Sequence, residues 1–161
     1  MSDLKLVQGI DDRWDLDFDA VVQDLVLTDD IETSVTISVE TIARAKTGDD
    51  IPDGTDRKRG FWGDDFLEEP EDTIGSRLWL LTRSKMTSDI LSKVRTLFDE
   101  CLSWMVLDGV ATSARTQAAL YSDEVIAIRT EIVKPDGTTE TFPFFFNWQA
   151  QELRRATEED L

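Results

Sequence analysis

Carboxylates are almost the only groups in this sequence equipped for proton or metal chemistry. There are 34 Asp and Glu against 17 Lys and Arg, a formal charge of −17, no histidine and one cysteine, Cys101. Without histidine there is no Ser-His-Asp or Cys-His centre, and a single thiol leaves no soft-ligand zinc or copper site. No disulfide can form within the chain, which is consistent with maturation in a reducing cytoplasm. What remains is acid–base work by adjacent acids, at Asp49-Asp50, Asp64-Asp65 and Glu68-Glu69. A glycosidase needs two carboxyls at a fixed separation with one pKa raised. In so acidic a chain adjacent acids arise by chance, and runs of acids form solvated faces more often than tuned pairs. The sequence therefore implies no catalytic residue, no metal, no cofactor and no small-molecule substrate.

The other chemistry on offer is recognition. Arg57-Lys58-Arg59-Gly60-Phe61-Trp62-Gly63 sets three cations and two large aromatics among glycines in an otherwise acidic chain. Three bases alone would read as a solvated cluster, but Arg and Trp are the residues most enriched at interface hot spots. Glycines beside them let the backbone approach a partner closely. Arg57, Arg59, Phe61 and Trp62 are the candidate contact residues, to be met by an acidic or apolar groove. Arg77, between Ser76 and Leu78, keeps its charge and must find carboxylates or carbonyls. An acid of this chain and a bond across a subunit contact are both open to it. Trp79 and Trp104 read as core, each needing a partner for its indole N–H if buried.

These residues must be held by a core. A chain of 161 residues, 40% hydrophobic with five Trp and eight Phe, suits one domain, 1–161, well clear of the composition of disordered acidic chains. Residues 1–28 form an acidic N-terminal segment in which Trp14-Asp15-Leu16-Asp17-Phe18-Asp19 alternates like an extended strand with one buried face. Over 29–46, Ile31, Val35, Val39 and Ile42 favour a helix over the competing strand pattern, with Asp29 or Asp30 as cap and Arg44 and Lys46 near its negative end. A long loop covers 47–75, a length that usually signals function. Ser76 caps a short helix through Leu81. A long central helix follows, capped by Thr87, stapled by Met86 and Leu91, striped by Ile90, Leu91, Val94, Leu97, Phe98, Cys101, Leu102 and Met105, and stopped at Gly109.

Three antiparallel strands complete an α+β layer, over 110–120, 124–133 and 140–148, with Lys134-Pro135-Asp136-Gly137 as the last turn. Phe142, Phe144 and Phe146 share one face of the last strand and Pro143 and Phe145 the other. A strand apolar on both faces is doubly buried or meets a partner, which makes Phe145 a further contact candidate, and Pro143 is easiest to place on an edge. The acidic tail 149–161 reads as a short fraying helix. Apolar runs such as 142–146 are far too short to cross a bilayer, and the acidic start is no signal peptide. A strongly negative surface repels phosphate backbones and anionic lipid, so the partners expected are proteins, with no direct nucleic acid and no membrane. An acidic inhibitor or nucleic-acid mimic is the alternative; its binding would fall steeply with salt and tolerate loss of the loop aromatics.

Four blocks, in order, carry a family resemblance: Arg57-Lys58-Arg59-Gly60-Phe61-Trp62-Gly63-Asp64, Gly75-Ser76-Arg77-Leu78-Trp79-Leu80-Leu81, Leu102-Ser103-Trp104-Met105 and Asp108-Gly109-Val110-Ala111. They resemble the Mu-like phage tail proteins assigned to the baseplate. That family is in turn distantly similar to the small baseplate wedge proteins of other contractile phages. The resemblance implies an N-terminal helix, a long loop, a long central helix and a C-terminal β-meander. Gly60, Gly63, Gly75, Ser76, Trp79, Trp104 and Gly109 are its structural positions. It further implies a non-enzymatic virion component made in the host cytoplasm and placed in the tail baseplate, a wedge joining the hub or spike proteins to other wedge proteins and offering a first platform to the tail sheath. Some distant members carry a lysozyme label; Ser76 stands where that group places an acid, so no acid–base role is carried over.

Overall fold

The computed structural model describes residues 3–8, 14–21, 23–25, 27–28, 31–66, 73–82, 88–147, 149–150 and 152–156. Its internal contacts divide the chain into two units, Met1–Ile37 and Ser38–Leu161.

The first unit is built from short strands. β1 (Asp3–Leu4) pairs with β6 (Leu27–Thr28), β2 (Leu6–Gln8) with β3 (Trp14–Leu16), and β4 (Phe18–Asp19) with β5 (Asp24–Leu25), each pair antiparallel. The extended reading of 14–19 holds, but its single buried face does not: Leu16 and Phe18 are exposed. The chain breaks at Asp17, which pairs with Lys5 at 3.0 Å, and the strands on either side turn to different partners. The alternation is therefore not laid on one continuous ladder. Thr33 donates its hydroxyl to the Leu4 carbonyl at 3.1 Å.

Helix α1 (Glu32–Glu40) confirms the helical choice, with Ile31, Val35 and Val39 buried. The proposed caps Asp29 and Asp30 lie outside the described residues. The helix stops six residues short of Lys46, so Arg44 and Lys46 are not at its negative end, and Ile42 is exposed. Tertiary hydrogen bonds hold the following segment extended. Ser76 N–H reaches the Thr41 carbonyl at 2.8 Å, Ala43 N–H the Ser76 carbonyl at 3.0 Å, and Ala45 N–H the Lys58 carbonyl at 2.8 Å. Backbone groups satisfied this way have no need of a further helical turn.

Residues 47–61 are irregular, as expected, and then form a 3-10 turn, Trp62–Phe66. A second 3-10 turn, Leu78–Leu81, replaces the short helix; Arg77 occupies its cap position, while the Ser76 hydroxyl accepts from Leu78 N–H at 3.2 Å. The predicted central helix is two: α2 (Ser88–Cys101) and α3 (Ser103–Leu107), parted at Leu102. Ser103 donates its hydroxyl to the Glu100 carbonyl at 2.8 Å and Met105 N–H bonds the Leu102 carbonyl, tightening the joint to an i,i+3 pattern. The stripe survives the joint: Ile90, Val94, Phe98, Leu102 and Met105 are buried. At about 1.5–3 kcal/mol for each large side chain buried, this face is a principal source of stability. Gly109, at φ +73°, makes the left-handed stop. The Thr87 cap and the Met86 half of the staple lie outside the described residues.

The sheet holds β7 (Ser113–Leu120), β8 (Val125–Val133), β9 (Thr139–Asn147) and β10 (Glu152–Arg155) in the antiparallel order β10-β9-β8-β7. α2 packs on it, with the Phe98 and Phe144 rings 5.7 Å apart. Inward-facing Ile126, Ile128, Ile132, Phe142, Phe144 and Phe146 are all buried. The turn before β9 forms as its chemistry demands: Gly137 has φ +86° and Asp136 accepts from Thr138 N–H at 2.8 Å.

Two expectations fail here. The tail contributes a strand, β10, where a helix was expected, and β9 is interior where Pro143 suggested an edge. One geometry explains both. Pro143 turns its nitrogen and carbonyl toward β10, so the missing N–H leaves the nine-residue pairing with β8 intact. β10 ends beside it, Arg155 opposite Phe144, and Ala156 N–H takes the Pro143 carbonyl at 2.9 Å.

Candidate assembly surface

The long loop is tied to the core of the second unit at named points. Arg77, its side chain largely buried between the loop and α2, sends one guanidinium nitrogen to both Asp49 oxygens at 2.5 and 2.7 Å and the other to Glu100. Lys46 adds its ammonium to Glu100 at 3.3 Å and its N–H to Asp49 at 2.7 Å. Burial alone would raise the carboxyl pKa values of Asp49 and Glu100, but the Arg77 hydrogen bonds and the Arg77 and Lys46 charges outweigh it and hold both below their ordinary values. Burial would lower Arg77, and the same two partners raise it. Of the two openings for Arg77, the structure fills the internal one. A depressed Asp49 is also the reverse of what a glycosidase acid requires.

The loop then passes over Trp79. Its indole N–H reaches the Ala43 carbonyl at 2.9 Å, and the Arg59 guanidinium lies 4.7 Å from its ring centre. Arg59 takes a left-handed φ of +48°, and Gly60 follows at φ +124°, where a Cβ would meet Arg44 at 3.0 Å. Beyond this base the aromatics project. Phe61 is 38% exposed, Trp62 74% and Phe66 79%, with ring centres 5.4 Å apart for Phe61–Trp62 and 6.2 Å for Trp62–Phe66. Gly63 lies so close to Phe61 that a Cβ would meet the ring at 2.3 Å. Asp65 pairs with Arg44 at 3.3 Å, fastening the turn. Arg57, Lys58 and Arg59 are exposed, and among the described residues none of them forms an ion pair.

The remaining candidates lie elsewhere. Phe145 is buried, covered by Tyr121 at 4.8 Å between ring centres and by the Arg154 guanidinium at 4.8 Å. Trp104, on α3, donates its indole N–H to the Ser38 hydroxyl at 3.0 Å. Gly75, at φ +107°, passes within 2.5 Å of the Thr41 carbonyl, measured from the Cβ it lacks. Sequence reasoning missed Phe66, although its spacing four residues after Trp62 places it on the same side of a tight turn. It also missed Asp49 and Glu100 as the partners of Arg77, which no local spacing announces.

Behind the ion-pair cluster runs a groove of about 550 Å³. One wall is the α2 face of Asp89, Lys93, Thr96 and Glu100, the other is Gly48 to Asp50, and Leu80, Leu81 and Leu97 form its apolar surface. Four carboxylates line it against two cations, Arg77 and Lys93.

An α+β chain with a projecting aromatic cluster on an anchored base, and the Arg77 guanidinium committed to internal ion pairs, has the surface of an assembly protein. The chain belongs to the family described as phage protein GP46, whose model it matches over residues 31–139. It is 35% identical over 144 residues to the baseplate protein gp46 of Escherichia phage Mu, covering 89% of this chain and 95% of that protein. It is 32% identical over 126 residues to the Mu-like prophage FluMu protein gp46 of Haemophilus influenzae, covering 78% of this chain and 84% of that protein. The baseplate resemblance read from the four blocks is thus established.

Proposed function

We propose that this structural baseplate protein acts without catalysis, as a wedge subunit that holds neighbouring baseplate proteins in register through residues 57–66. The observation that carries the proposal is the exposure of Phe61, Trp62 and Phe66 on a turn fastened by Arg44–Asp65 and by Arg59 over Trp79. Exposed aromatics cost little ordering entropy on docking when their base is already fixed. Arg57 and Lys58 add positive charge that a neighbour's acids can meet. Co-purification with the other baseplate proteins tests it: Arg59→Glu with Trp62→Ala should abolish recovery, and unchanged recovery would refute it.

A sheath-platform role would use β7, one of the two outer strands of the sheet. Its even-numbered residues turn their main-chain groups away from β8, as Thr116 N–H does toward Asp99 at 3.0 Å. Beyond Thr116, Leu120 and Tyr121 are exposed. Such an edge accepts an added strand through main-chain bonds. Ala118→Pro should block sheath polymerisation on the baseplate while leaving wedge assembly intact, and unimpaired polymerisation would refute the platform role.

A further inference from the structure

The partner of the cationic aromatic loop need not be sought only among other proteins, because a surface of matching chemistry exists on this chain. The geometry points to contact between copies: residues 57–62 of one chain seat in the groove between α2 and Gly48 to Asp50 of a second. This rests on the reading of that loop as a docking element, and it names the groove that receives it.

Charge favours the match. The loop offers Arg57, Lys58 and Arg59, and the groove offers Asp49, Asp50, Asp89 and Glu100 against Arg77 and Lys93. Asp89 is matched by Lys93 at 3.1 Å, Asp49 by Arg77, and Glu100 by Arg77 and Lys46, whereas Asp50 forms no ion pair among the described residues and is the acid left for an incoming cation. Size favours it as well. The α2 wall from Asp89 to Glu100 is roughly 16 Å long at 1.5 Å per residue, longer than the 57–62 segment, which the left-handed Arg59 and Gly60 keep short of full extension. A space of about 550 Å³ is in the range that takes up compact organic groups such as an indole. Leu80 and Leu97, both half-buried, supply apolar surface for the part of Trp62 that Phe61 and Phe66 leave exposed in its own chain.

The loop cannot simply serve its own groove. The Ala45–Lys58 hydrogen bond, the Arg59–Trp79 stack and the Arg44–Asp65 pair hold it elsewhere, and none of residues 57–66 lines the groove. Two chains of charge −17 repel at long range. At physiological salt that repulsion is screened within about 8 Å, while contacts inside a groove are screened far less.

The test is analytical ultracentrifugation of the full chain over a concentration series at physiological salt. The wild-type chain should self-associate. Trp62→Ala removes the anchor, and Thr96→Arg places a bulky cation in the groove at an exposed helical position; each alone should weaken association about tenfold or more. Circular dichroism and thermal melts confirm that both variants fold. Mixed in equal amounts, the two should recover a dimer, since one intact loop meets one intact groove. A wild-type chain that stays monomeric, or a mixture no better associated than its components, overturns the inference. If Trp62→Ala still abolishes co-purification with other baseplate proteins in that case, the docking role of the loop stands and only the second copy is refuted. If it does not, both fall.

Discussion

Arg77 grips Asp49 across 28 residues of sequence, through both carboxylate oxygens at 2.5 and 2.7 Å, with its side chain only 11% exposed. One guanidinium thereby ties the long loop to the turn before α2, and its second nitrogen ties both to α2 through Glu100. Arg77→Ala leaves the partly buried Asp49 with only Lys46 to offset its charge and should destabilise the fold by about 2–4 kcal/mol, less than a fully buried pair because Glu100 is partly solvated. Arg77→Lys keeps the charge but cannot reach both acids at once, and should recover less than half of the loss. Urea unfolding of the three chains measures both.

The same cluster sets a pH dependence. Asp49 and Glu100 lie below their ordinary values of 3.8 and 4.5 in the fold. Depressed carboxyls bind fewer protons folded than unfolded, so their stabilisation is complete above the ordinary values and lost as pH falls through the folded ones. Stability should hold down to about pH 4.5 and then decline. In Arg77→Ala the decline should be shallower, since the pairs are already gone. Urea midpoints measured between about pH 7 and about pH 3 decide it.

Glycines of similar torsion should respond differently to the same change. Gly75 and Gly137 have φ of +107° and +86°. A Cβ on Gly75 would sit 2.5 Å from the Thr41 carbonyl oxygen, whereas one on Gly137 meets nothing within 4 Å. Gly137→Ala should cost about 1 kcal/mol of backbone strain. Gly75→Ala adds a clash with fixed backbone at the bond joining Thr41 to Ser76, and should cost about 3 kcal/mol or more. Thermal melts of the two variants give the comparison.

Where side-chain period and turn chemistry agreed, the architecture was legible: the buried stripe of α2, the stop at Gly109, the turn at Gly137 and the three long strands all follow local rules. The failures share a cause. Residues 41–46 leave the helix because Ser76 and Lys58 bond their backbone, and 152–155 become a strand because β9 offers an open side there. Both depend on groups distant in sequence. At the surface, Arg57, Arg59, Phe61 and Trp62 do share one loop, since glycine and aromatic spacing is local information. For Phe145 the sequence left two fates open, burial on both faces or a partner, and could not choose, because nothing near it in sequence reveals that Arg154 and Tyr121 cover it.

Tryptophans in the two roles should separate cleanly. Trp79→Phe keeps an aromatic ring for Arg59 but leaves the buried Ala43 carbonyl without its indole donor, and should cost about 1–3 kcal/mol. Trp62→Phe alters a side chain 74% exposed and should change stability by less than about 0.5 kcal/mol. Equal losses in urea unfolding would mean that Trp62 belongs to the core.

Asp99 guards the edge of the sheet. Its carboxylate on α2 accepts the outward N–H of Thr116 at 3.0 Å, while the Thr116 hydroxyl meets that of Thr130 at 3.2 Å. A main-chain donor engaged from the side cannot pair with an incoming strand, so half of β7 is closed to edge addition and the half toward Leu120 is left open. Asp99→Ala frees the donor and should cost about 1–2 kcal/mol. Asp99→Asn, which can still accept the bond, should cost less. Amide exchange at Thr116 should quicken in Asp99→Ala, and the variant should aggregate more readily on heating as the longer edge opens. Unchanged exchange at that amide would mean that the packing of α2 alone shields it and that the carboxylate contributes nothing to closing the edge.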